Sequence, residues 1–423
     1  MRQNNLRTLA ITALAGLALF SSGCNKKPEG QPGTPAPTPT SGNSSDSVFL
    51  ATNGSMAMNA PDQFNWTLFS MICQAAPSQQ KVGPNGELGN DAIWETWADD
   101  PTTYPANPDP NNPPKWPAGG QQAKPKKVGP ITQLSIRAHR GAKNKMEGFT
   151  IGPGKGGDST VEEVRRNKFS FDYIISNNLW YTQGLAANFK SRVNNSTGMI
   201  NQISFPIPAV EVKAVWRPIS KDSMKYFHWN YDDKGKLYGL IALHIMSKAI
   251  PNWTWATWEW VANPGRCDYI GCRDDFGVVP DTVNPMTPYG QQYPPGSLTP
   301  ALLAVFKQYN VPAEWQNYRL KASQIDWIDA MGRIEHDGNS ITEDGFVQTS
   351  SCITCHSVAS FDSTGAFNPS VGFTQSGQSQ NGAVSPSNFF QNATEPYGNL
   401  KYLQGDFVWG LFKASSAGAS AKK

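Results

Sequence analysis

Apolar and polar residues in the middle of the chain predict three β-strands. In segment 210–217, apolar residues hold the even positions and mainly polar residues hold the odd ones, a period of two that predicts a strand with one buried face. Segment 237–246 is mostly apolar and predicts a strand buried on both faces. It follows a turn predicted at Asp232-Asp-Lys-Gly235. A third strand is expected over 253–261, after Pro251.

Farther along the chain, apolar residues have the spacing of a helix. Trp327, Ile328, Met331 and Ile334 predict one apolar helical face within a segment that begins near Leu320. The pattern as a whole predicts an α+β fold, with a mixed, loop-rich body of antiparallel strands and a helical segment late in the chain.

Proline-rich and polar stretches suggest the boundaries of the folded body. Residues 24–47 are rich in Pro, Gly, Ser and Thr, a composition that predicts a tether. The apolar pattern then begins near Val48 and is interrupted at 101–127 by Pro and Asn, which predicts either a long ordered surface loop or a flexible insertion. We expect a strand-rich body at 48–319 and a further region at 320–423 that forms one continuous domain with it.

The first residues have the features of an export signal. Arg2 and Arg7 precede an apolar run at 9–20, and small residues lead up to Cys24, so residues 1–23 are predicted to be a signal peptide too short to span a membrane. The Ser-Ser-Gly-Cys ending resembles the lipobox of bacterial lipoproteins, which implies lipidation of Cys24. Plain secretion is the alternative. In lipoproteins of this kind an Asp after the cysteine favours inner-membrane retention, so Asn25 favours the outer membrane and leaves periplasmic or cell-surface orientation open.

The charge balance bears on the possible partners. The chain of 423 residues has 36 Lys and Arg against 33 Asp and Glu, a formal charge of +3. Such a balance implies no broad basic surface, so nucleic acid is not expected as a partner.

One short motif carries specific chemistry. Cys352-Ile-Thr-Cys355-His356 matches the Cys-x-x-Cys-His sequence that attaches c-type haem. Cysteines three residues apart lie on one face of a helical turn, where two thiols reach the two vinyl groups of one porphyrin, and the histidine lies beside them. We therefore expect one covalent haem c on Cys352 and Cys355, with His356 as the proximal iron ligand. A structural zinc site and a thioredoxin-like redox pair are the alternatives.

This motif resembles the attachment sequence of the cytochrome c superfamily. The order of features is similar to that of its large monohaem members: an exported N-terminus, a Trp-rich body with Val-Lys-Ala-x-Trp at 212–216 and Leu-His-Ile at 243–245, and a late Ser-Cys-x-x-Cys-His. Small soluble cytochromes c place a methionine ligand after the motif, whereas residues 357–423 contain no Met and no His. The simple small cytochrome c fold is therefore not expected.

The distal iron ligand must then precede the motif or be absent. His244, within a mostly apolar strand, is the first candidate, because a buried imidazole needs a strong partner. A core histidine bonded to a backbone carbonyl is its alternative. Met331 is a weaker candidate, Met246 and His336 are weaker still, and an iron that is open or water-bound is the remaining possibility. Methionine ligation raises the reduction potential, whereas an open site permits small-molecule chemistry.

The other cysteines and the tryptophan cluster have structural interpretations. Cys267 and Cys272 enclose four residues, which predicts a disulfide in an oxidising compartment, and Cys73 is predicted to be a buried free thiol. Alternation places Trp253 and Trp255 on one strand face and two further tryptophans, Trp258 and Trp260, on the other. We expect these tryptophans to pack the core rather than form one aromatic platform beside a haem.

Three hypotheses for function follow. The favoured one is a membrane-anchored one-electron carrier with a redox partner protein. The second is an enzyme that acts on a peroxide, a nitrogen oxide or an organic substrate at an open iron position, because the body is several times larger than one haem needs. The third is a haem-based sensor, for which the sequence offers no positive feature.

Overall fold

The structure is a computed structural model and describes residues 44–117, 160–194, 196–368, 381–391 and 399–418. The predicted signal peptide at 1–23, Cys24, residues 25–43 of the tether and residues 118–127 of the Pro-rich segment lie outside this part of the chain. All described residues belong to one compact unit, Ser41–Lys423.

The described elements are mainly short. The helices are α1 (Ser44–Thr52), α2 (Gly54–Asn59), α3 (Pro61–Ile72), α4 (Asp100–Thr103), α5 (Lys168–Ser176), α6 (Thr182–Arg192), α7 (Pro300–Gln308) and α8 (Cys352–Ser357). The strands are β1 (Ala75–Val82), β2 (Leu88–Ala92), β3 (Ala98–Asp99), β4 (Val161–Arg166), β5 (Val193–Asn194), β6 (Met199–Ile200), β7 (Val210–Pro218), β8 (Trp229–Tyr231), β9 (Leu237–Ser247), β10 (Thr254–Trp260), β11 (Cys272–Arg273), β12 (Val278–Val279), β13 (Thr282–Val283), β14 (Ser297–Leu298), β15 (Tyr318–Gln324), β16 (Ser360–Phe361) and β17 (Leu403–Gln404).

A central antiparallel sheet organises the fold. Over the described residues it has seven strands in the order β15-β10-β9-β7-β4-β3, with β8 also paired to β9. The three strands predicted from the sequence are confirmed as β7, β9 and β10, and the backbone N–H of Gly235 donates to Asp232 O in the predicted turn. The predicted mixed α+β class with antiparallel strands is confirmed.

The first face of the sheet, which carries the even-numbered side chains of β7, is covered by helices. Side chains from α1, α2, α3 and α7 join it in one apolar cluster. Trp258 lies at its centre, with ring centroids 5.0 Å from Phe69 and 5.7 Å from Trp66. This cluster, rich in aromatic rings, lies on the side of the sheet away from the haem motif.

The second face, which carries the odd-numbered side chains of β7, lies beneath the haem motif. Its apolar cluster combines residues of β10, α5, α6, α8 and the C-terminal segment, among them Trp253, Trp255, Ile353, Phe407 and Leu411. The expectation that β7 has only one buried face is wrong, because Glu211 on this face is 5% exposed. Its carboxylate accepts a hydrogen bond from Ser170 Oγ (2.8 Å) and lies 3.5 Å from Arg166 Nε, so the strand buries a polar residue with its partners.

The helix expected from near Leu320 is wrong. Residues Tyr318–Gln324 form β15, which pairs with β10, and the next residues form a turn closed by a bridge between Ile328 and Ile334. The Asp329 carboxylate accepts from the backbone N–H groups of Met331 and Arg333 and fixes this turn. Because β15 crosses the expected 319/320 boundary, the body and the C-terminal region share one sheet.

Several remaining features are local. Cys267 and Cys272 are joined by a disulfide with their Cα atoms 5.0 Å apart, and Cys73 is a buried free thiol. Part of the Pro-rich segment is ordered as α4, where Asp99 caps the helix by accepting from Thr102 N (2.9 Å). Within the described residues, no helix is long and apolar enough to cross a lipid bilayer.

Candidate functional site

The haem motif, Cys352–His356, lies within α8. This helix is held by β15, the edge strand of the sheet. Gln324, at the end of β15, accepts from Ile353 N (3.1 Å) and donates to Ser351 Oγ (3.0 Å). The helix N-terminus has backbone N–H groups without intrahelical partners, and Gln324 satisfies one of them. A second contact stabilises the same turn, because the Thr354 hydroxyl donates a hydrogen bond to Gly382 O (2.8 Å).

Both cysteines of the motif are available for covalent attachment. Cys352 and Cys355 are half-buried free thiols on one turn of α8. Burial raises the pKa of Cys355 to about 11 and that of Cys352 well above its ordinary value. Redox-active cysteines of the thioredoxin type usually have a lowered pKa, which is the opposite direction from that of both thiols here.

His356 has the geometry of an iron ligand. Its Nδ1 lies 2.8 Å from Phe407 O, and since a carbonyl can only accept, Nδ1 carries the proton and Nε2 keeps its lone pair. Within the described residues Nε2 makes no hydrogen bond. Burial lowers the pKa of His356 to about 4, which keeps the ring neutral. Metal-binding histidines are commonly oriented in this way, by donating the other ring N–H to a carbonyl.

An unusual backbone presents the Phe407 carbonyl to His356. Asp406 and Phe407 have φ values of +52° and +68°, in the left-handed region that non-glycine residues seldom adopt. The Asp406 carboxylate accepts from Lys248 Nζ (2.6 Å) and Phe205 N (2.7 Å). Strained backbone persists where the surroundings hold it, and it is concentrated at functional sites. These residues had no signal in the sequence.

Two tryptophans complete the setting of the motif. The Trp255 ring lies 4.6 Å from the His356 ring at an interplanar angle of 49°, and Trp409 Nε1 donates to Cys355 O (3.0 Å). Trp255 belongs to the cluster of the second face and Trp258 to that of the first, as the alternation predicted. The interpretation of Trp255 as core packing alone was incomplete, because it also contacts the histidine of the motif.

The described part of the chain contains no group of three His, Cys, Asp or Glu side chains arranged to hold a metal ion. A structural zinc site needs four such ligands around one point. Over the described residues, the motif therefore lacks the neighbouring ligands of a structural zinc site.

His244 lies on the same face, within a polar network. It is the cross-strand neighbour of Lys213 and Thr257. Asn339 Oδ1 accepts from Thr342 N (2.7 Å), so its amide nitrogen faces His244 Nε2 at 2.7 Å. Nε2 thus accepts this hydrogen bond and the proton of the neutral ring is on Nδ1. Burial, together with the positive charge of Lys213, holds the pKa of His244 well below its ordinary value.

The other candidates for the distal ligand occupy different environments. Met331 is 77% exposed at the tip of its turn. His336 is half-buried, with Nδ1 3.2 Å from Ser350 O. Met246 is buried in the cluster of the second face and pairs with Trp255 across the sheet. The structure therefore brings His244 and Met246 to the face that carries the motif, and it leaves Met331 in solvent.

Comparisons of the chain with protein-family models, with curated proteins and with solved structures find no significant match. The site is therefore interpreted from its own residues.

Proposed function

We propose that the protein is a monohaem c-type cytochrome, of the cytochrome c superfamily, that passes single electrons to a redox partner protein. The observation that carries this proposal is the hydrogen bond from His356 Nδ1 to Phe407 O. It leaves the Nε2 lone pair free on the residue that directly follows Cys355. Cys352 and Cys355 would hold the haem covalently, and His356 would bind its iron. When bound, the haem supplies the Fe(III)/Fe(II) couple.

The surroundings of the motif support electron transfer. All three motif side chains are half-buried, so a group attached to them would have one edge near solvent, where a partner protein can approach. On the buried side, Trp255 and Ile353 belong to an apolar cluster, and low polarity around a haem influences its reduction potential. Trp255 and the Phe407 carbonyl fix the orientation of His356 and so limit the rearrangement of the protein between oxidation states.

We further propose that the protein is exported and anchored at the outer membrane by lipid on Cys24. Firm anchoring requires more than one acyl chain. Cys24→Ala is expected to move the protein from the membrane fraction to the soluble fraction, as measured by fractionation and immunoblotting. Persistence of this variant in membranes would reject lipidation at Cys24.

A second candidate function is an enzyme with an open iron position, and one observation favours it. The Nε2 lone pair of His244 is engaged by the Asn339 amide, so this histidine is not free to serve as a distal ligand. With its lone pair engaged in this way, His244 would leave the distal iron position open to a small molecule.

Optical and magnetic spectra of the purified protein, oxidised and reduced, with and without carbon monoxide, distinguish these functions. A low-spin haem that does not bind carbon monoxide would mean that two protein ligands hold the iron, and it would support the electron-transfer function. A high-spin haem that binds it would favour the enzyme. Absence of covalent haem, judged by absorbance after denaturation, would reject both.

A further inference from the structure

A hairpin at residues 327–335 carries three large apolar side chains on its outer surface. Ile328, Met331 and Ile334 are 46%, 77% and 44% exposed. Ile328 and Ile334 pair in an antiparallel bridge, so their side chains are neighbours on one face of the hairpin, and Met331 lies at its tip. Single exposed apolar residues are common, whereas a group of them with a polar rim marks an interaction site.

Hydrogen bonds hold this hairpin in one conformation. The Asp329 carboxylate accepts from the backbone N–H groups of Met331 and Arg333, both at 2.9 Å, and pairs with the Arg333 guanidinium. At the open end, Glu335 N donates to Trp327 O (3.1 Å). A partner that binds the apolar side chains therefore meets a preformed turn, which lowers the entropic cost of association.

The base of the hairpin contacts the helix of the haem motif. Gln324 Nε2 donates both to Glu335 O (3.1 Å) and to Ser351 Oγ (3.0 Å), and Ser351 directly precedes α8. The Trp327 ring lies 6.4 Å from the ring of Phe407, whose carbonyl orients the motif histidine. A protein bound to the hairpin would therefore lie beside α8 and the half-buried side chains of the motif.

The rim of the hairpin is acidic. Residues 326–335 have three carboxylates and one guanidinium group, from Asp326, Asp329, Glu335 and Arg333. Burial raises the pKa of Glu335, and the negative charges of Asp326 and Asp329 add to this shift. A further cation, Arg273, acts on Glu335 but is paired with Asp275 at 2.9 Å. Such a rim favours a partner with positive charge around its binding surface.

We propose that the hairpin at 327–335 is the docking site of the redox partner, a protein that presents an apolar surface ringed by lysine and arginine. The apolar side chains form the centre of a small interface, and the acidic rim orients the approaching partner. Transient electron-transfer complexes typically have small interfaces, and charge complementarity raises their association rate. The inference rests on the proposed function, since it names the chemistry of the partner.

The experiment compares the same substitution at two exposed aliphatic side chains. Ile328 is 46% exposed on the hairpin, and Leu303 is 41% exposed on α7, which covers the first face of the sheet. The probe is a small, lysine-rich cytochrome c, and stopped-flow absorbance measures its second-order rate constant of electron transfer with the haem-loaded protein. Ile328→Lys should lower this constant about tenfold, and Leu303→Lys should leave it unchanged. Equal rate constants for the two variants would overturn the proposal.

A second measurement does not depend on the folding of Ile328→Lys. In the wild-type protein, raising the ionic strength from about 0.01 to 0.2 M should slow electron transfer to the probe about tenfold, because salt screens the acidic rim. Asp326→Asn should weaken this salt dependence, whereas Asp222→Asn, at an exposed position after β7, should retain it. The same salt dependence in both variants would contradict the proposed role of the rim.

Sedimentation of the haem-loaded protein tests a different occupant. A wild-type dimer that Ile328→Lys converts to a monomer would assign the hairpin to a second copy of this chain, and the proposal would be wrong. A wild-type protein without covalent haem would instead reject the proposed function. Covalent haem with equal rate constants for Ile328→Lys and Leu303→Lys would reject the docking site alone, so the two failures are distinguishable.

Discussion

The two faces of the central sheet are both buried, but they are built from different side chains. The first face packs tryptophans, phenylalanines and aliphatic residues from α1–α3 and α7 into one apolar cluster. The second face buries apolar residues too, but it also carries a row of polar side chains, Lys213, His244 and Thr257, in direct register. Burying polar groups destabilises a fold unless they are hydrogen-bonded. Within this row Thr257 is buried, whereas the Lys213 side chain is 34% exposed, so the row is partly open to solvent.

The polar groups of the second face are largely, but not completely, satisfied. Asn339 bridges His244 and Thr257 by hydrogen bonds of 2.7 and 3.0 Å. In contrast, the ammonium group of Lys321 is fully buried, has no hydrogen-bond partner within the described residues and lies 3.9 Å from the Glu259 carboxylate. The first cluster also holds indole N–H groups without a partner within the described residues, at Trp94, Trp258 and Trp315. The faces therefore differ in that the second buries an unpartnered charged group.

The largest expected difference between the faces concerns the cysteines. Cys352→Ala or Cys355→Ala, on the second face, should leave at most one thioether bond, and the double variant should leave none. Haem staining of denaturing gels and intact mass measure the linkage. Cys73→Ala is the matched control, because Cys73 is a buried free thiol of the first face. A double linkage that survived either motif substitution would contradict the assignment.

Substitutions of two tryptophans in β10 should distinguish effects on stability from effects on the environment of the haem. Trp258→Ala should lower the free energy of unfolding by about 3–5 kcal/mol, since it removes a buried aromatic ring that packs on Trp66 and Phe69. Its haem spectrum should not change. Trp255→Ala should also destabilise the protein and, in addition, change the spectrum, because Trp255 lies against His356. Denaturant unfolding and optical spectra check both effects, and identical spectra for the two variants would disprove the distinction.

Two histidines, one on each face, should affect stability with opposite dependence on pH. His228 stacks on Trp315 of the first cluster and pairs with Glu95. Burial alone would lower the pKa of His228, but the Glu95 carboxylate outweighs it and raises the pKa above 6.5. The stabilisation is therefore fully present below pH 6.5 and is lost as pH rises through the raised pKa. His228→Gln should cost about 3 kcal/mol at acidic pH and less at alkaline pH.

His244→Gln is the control for that prediction. The folded state keeps His244 neutral, because burial holds its pKa well below 6.5, while the unfolded chain binds a proton below that pH. Wild-type stability relative to this variant should therefore fall as the solution becomes acidic. Denaturant unfolding at several pH values measures both differences. The same sign of pH dependence for the two variants would contradict these electrostatic environments.

The strands were predictable because their signal is local. A period of two in β7 and a mostly apolar run in β9 are properties of consecutive residues. The helix prediction near Leu320 failed because Leu320 faces the first cluster as part of β15, while Met331 lies in a turn fixed by Asp329. Apolar spacing in a short segment therefore does not distinguish a helix from a strand that is followed by a turn.

The candidate site was predictable only where its residues are consecutive. Cys352, Cys355 and His356 form one turn, so their spacing alone predicts their chemistry. Trp255, Asp406 and Phe407 are far from the motif in the sequence. The fold brings the Trp255 ring and the Phe407 carbonyl to His356. No local pattern identifies a carbonyl group as the partner of a histidine.

The smallest expected effect is electrostatic and belongs to the second face. The positive charge of Lys213 acts on Cys355 and His356 and should favour Fe(II) over Fe(III), so Lys213→Met should make the reduction potential more negative, by on the order of 1 kcal/mol in the redox equilibrium. Lys221→Met is the control, since Lys221 forms a comparable ion pair with Glu87 (2.7 Å) at the surface. Spectroelectrochemical titration measures both potentials. An unchanged potential in Lys213→Met would place the haem outside the influence of this row of polar side chains, and it would weaken the contrast between the two faces.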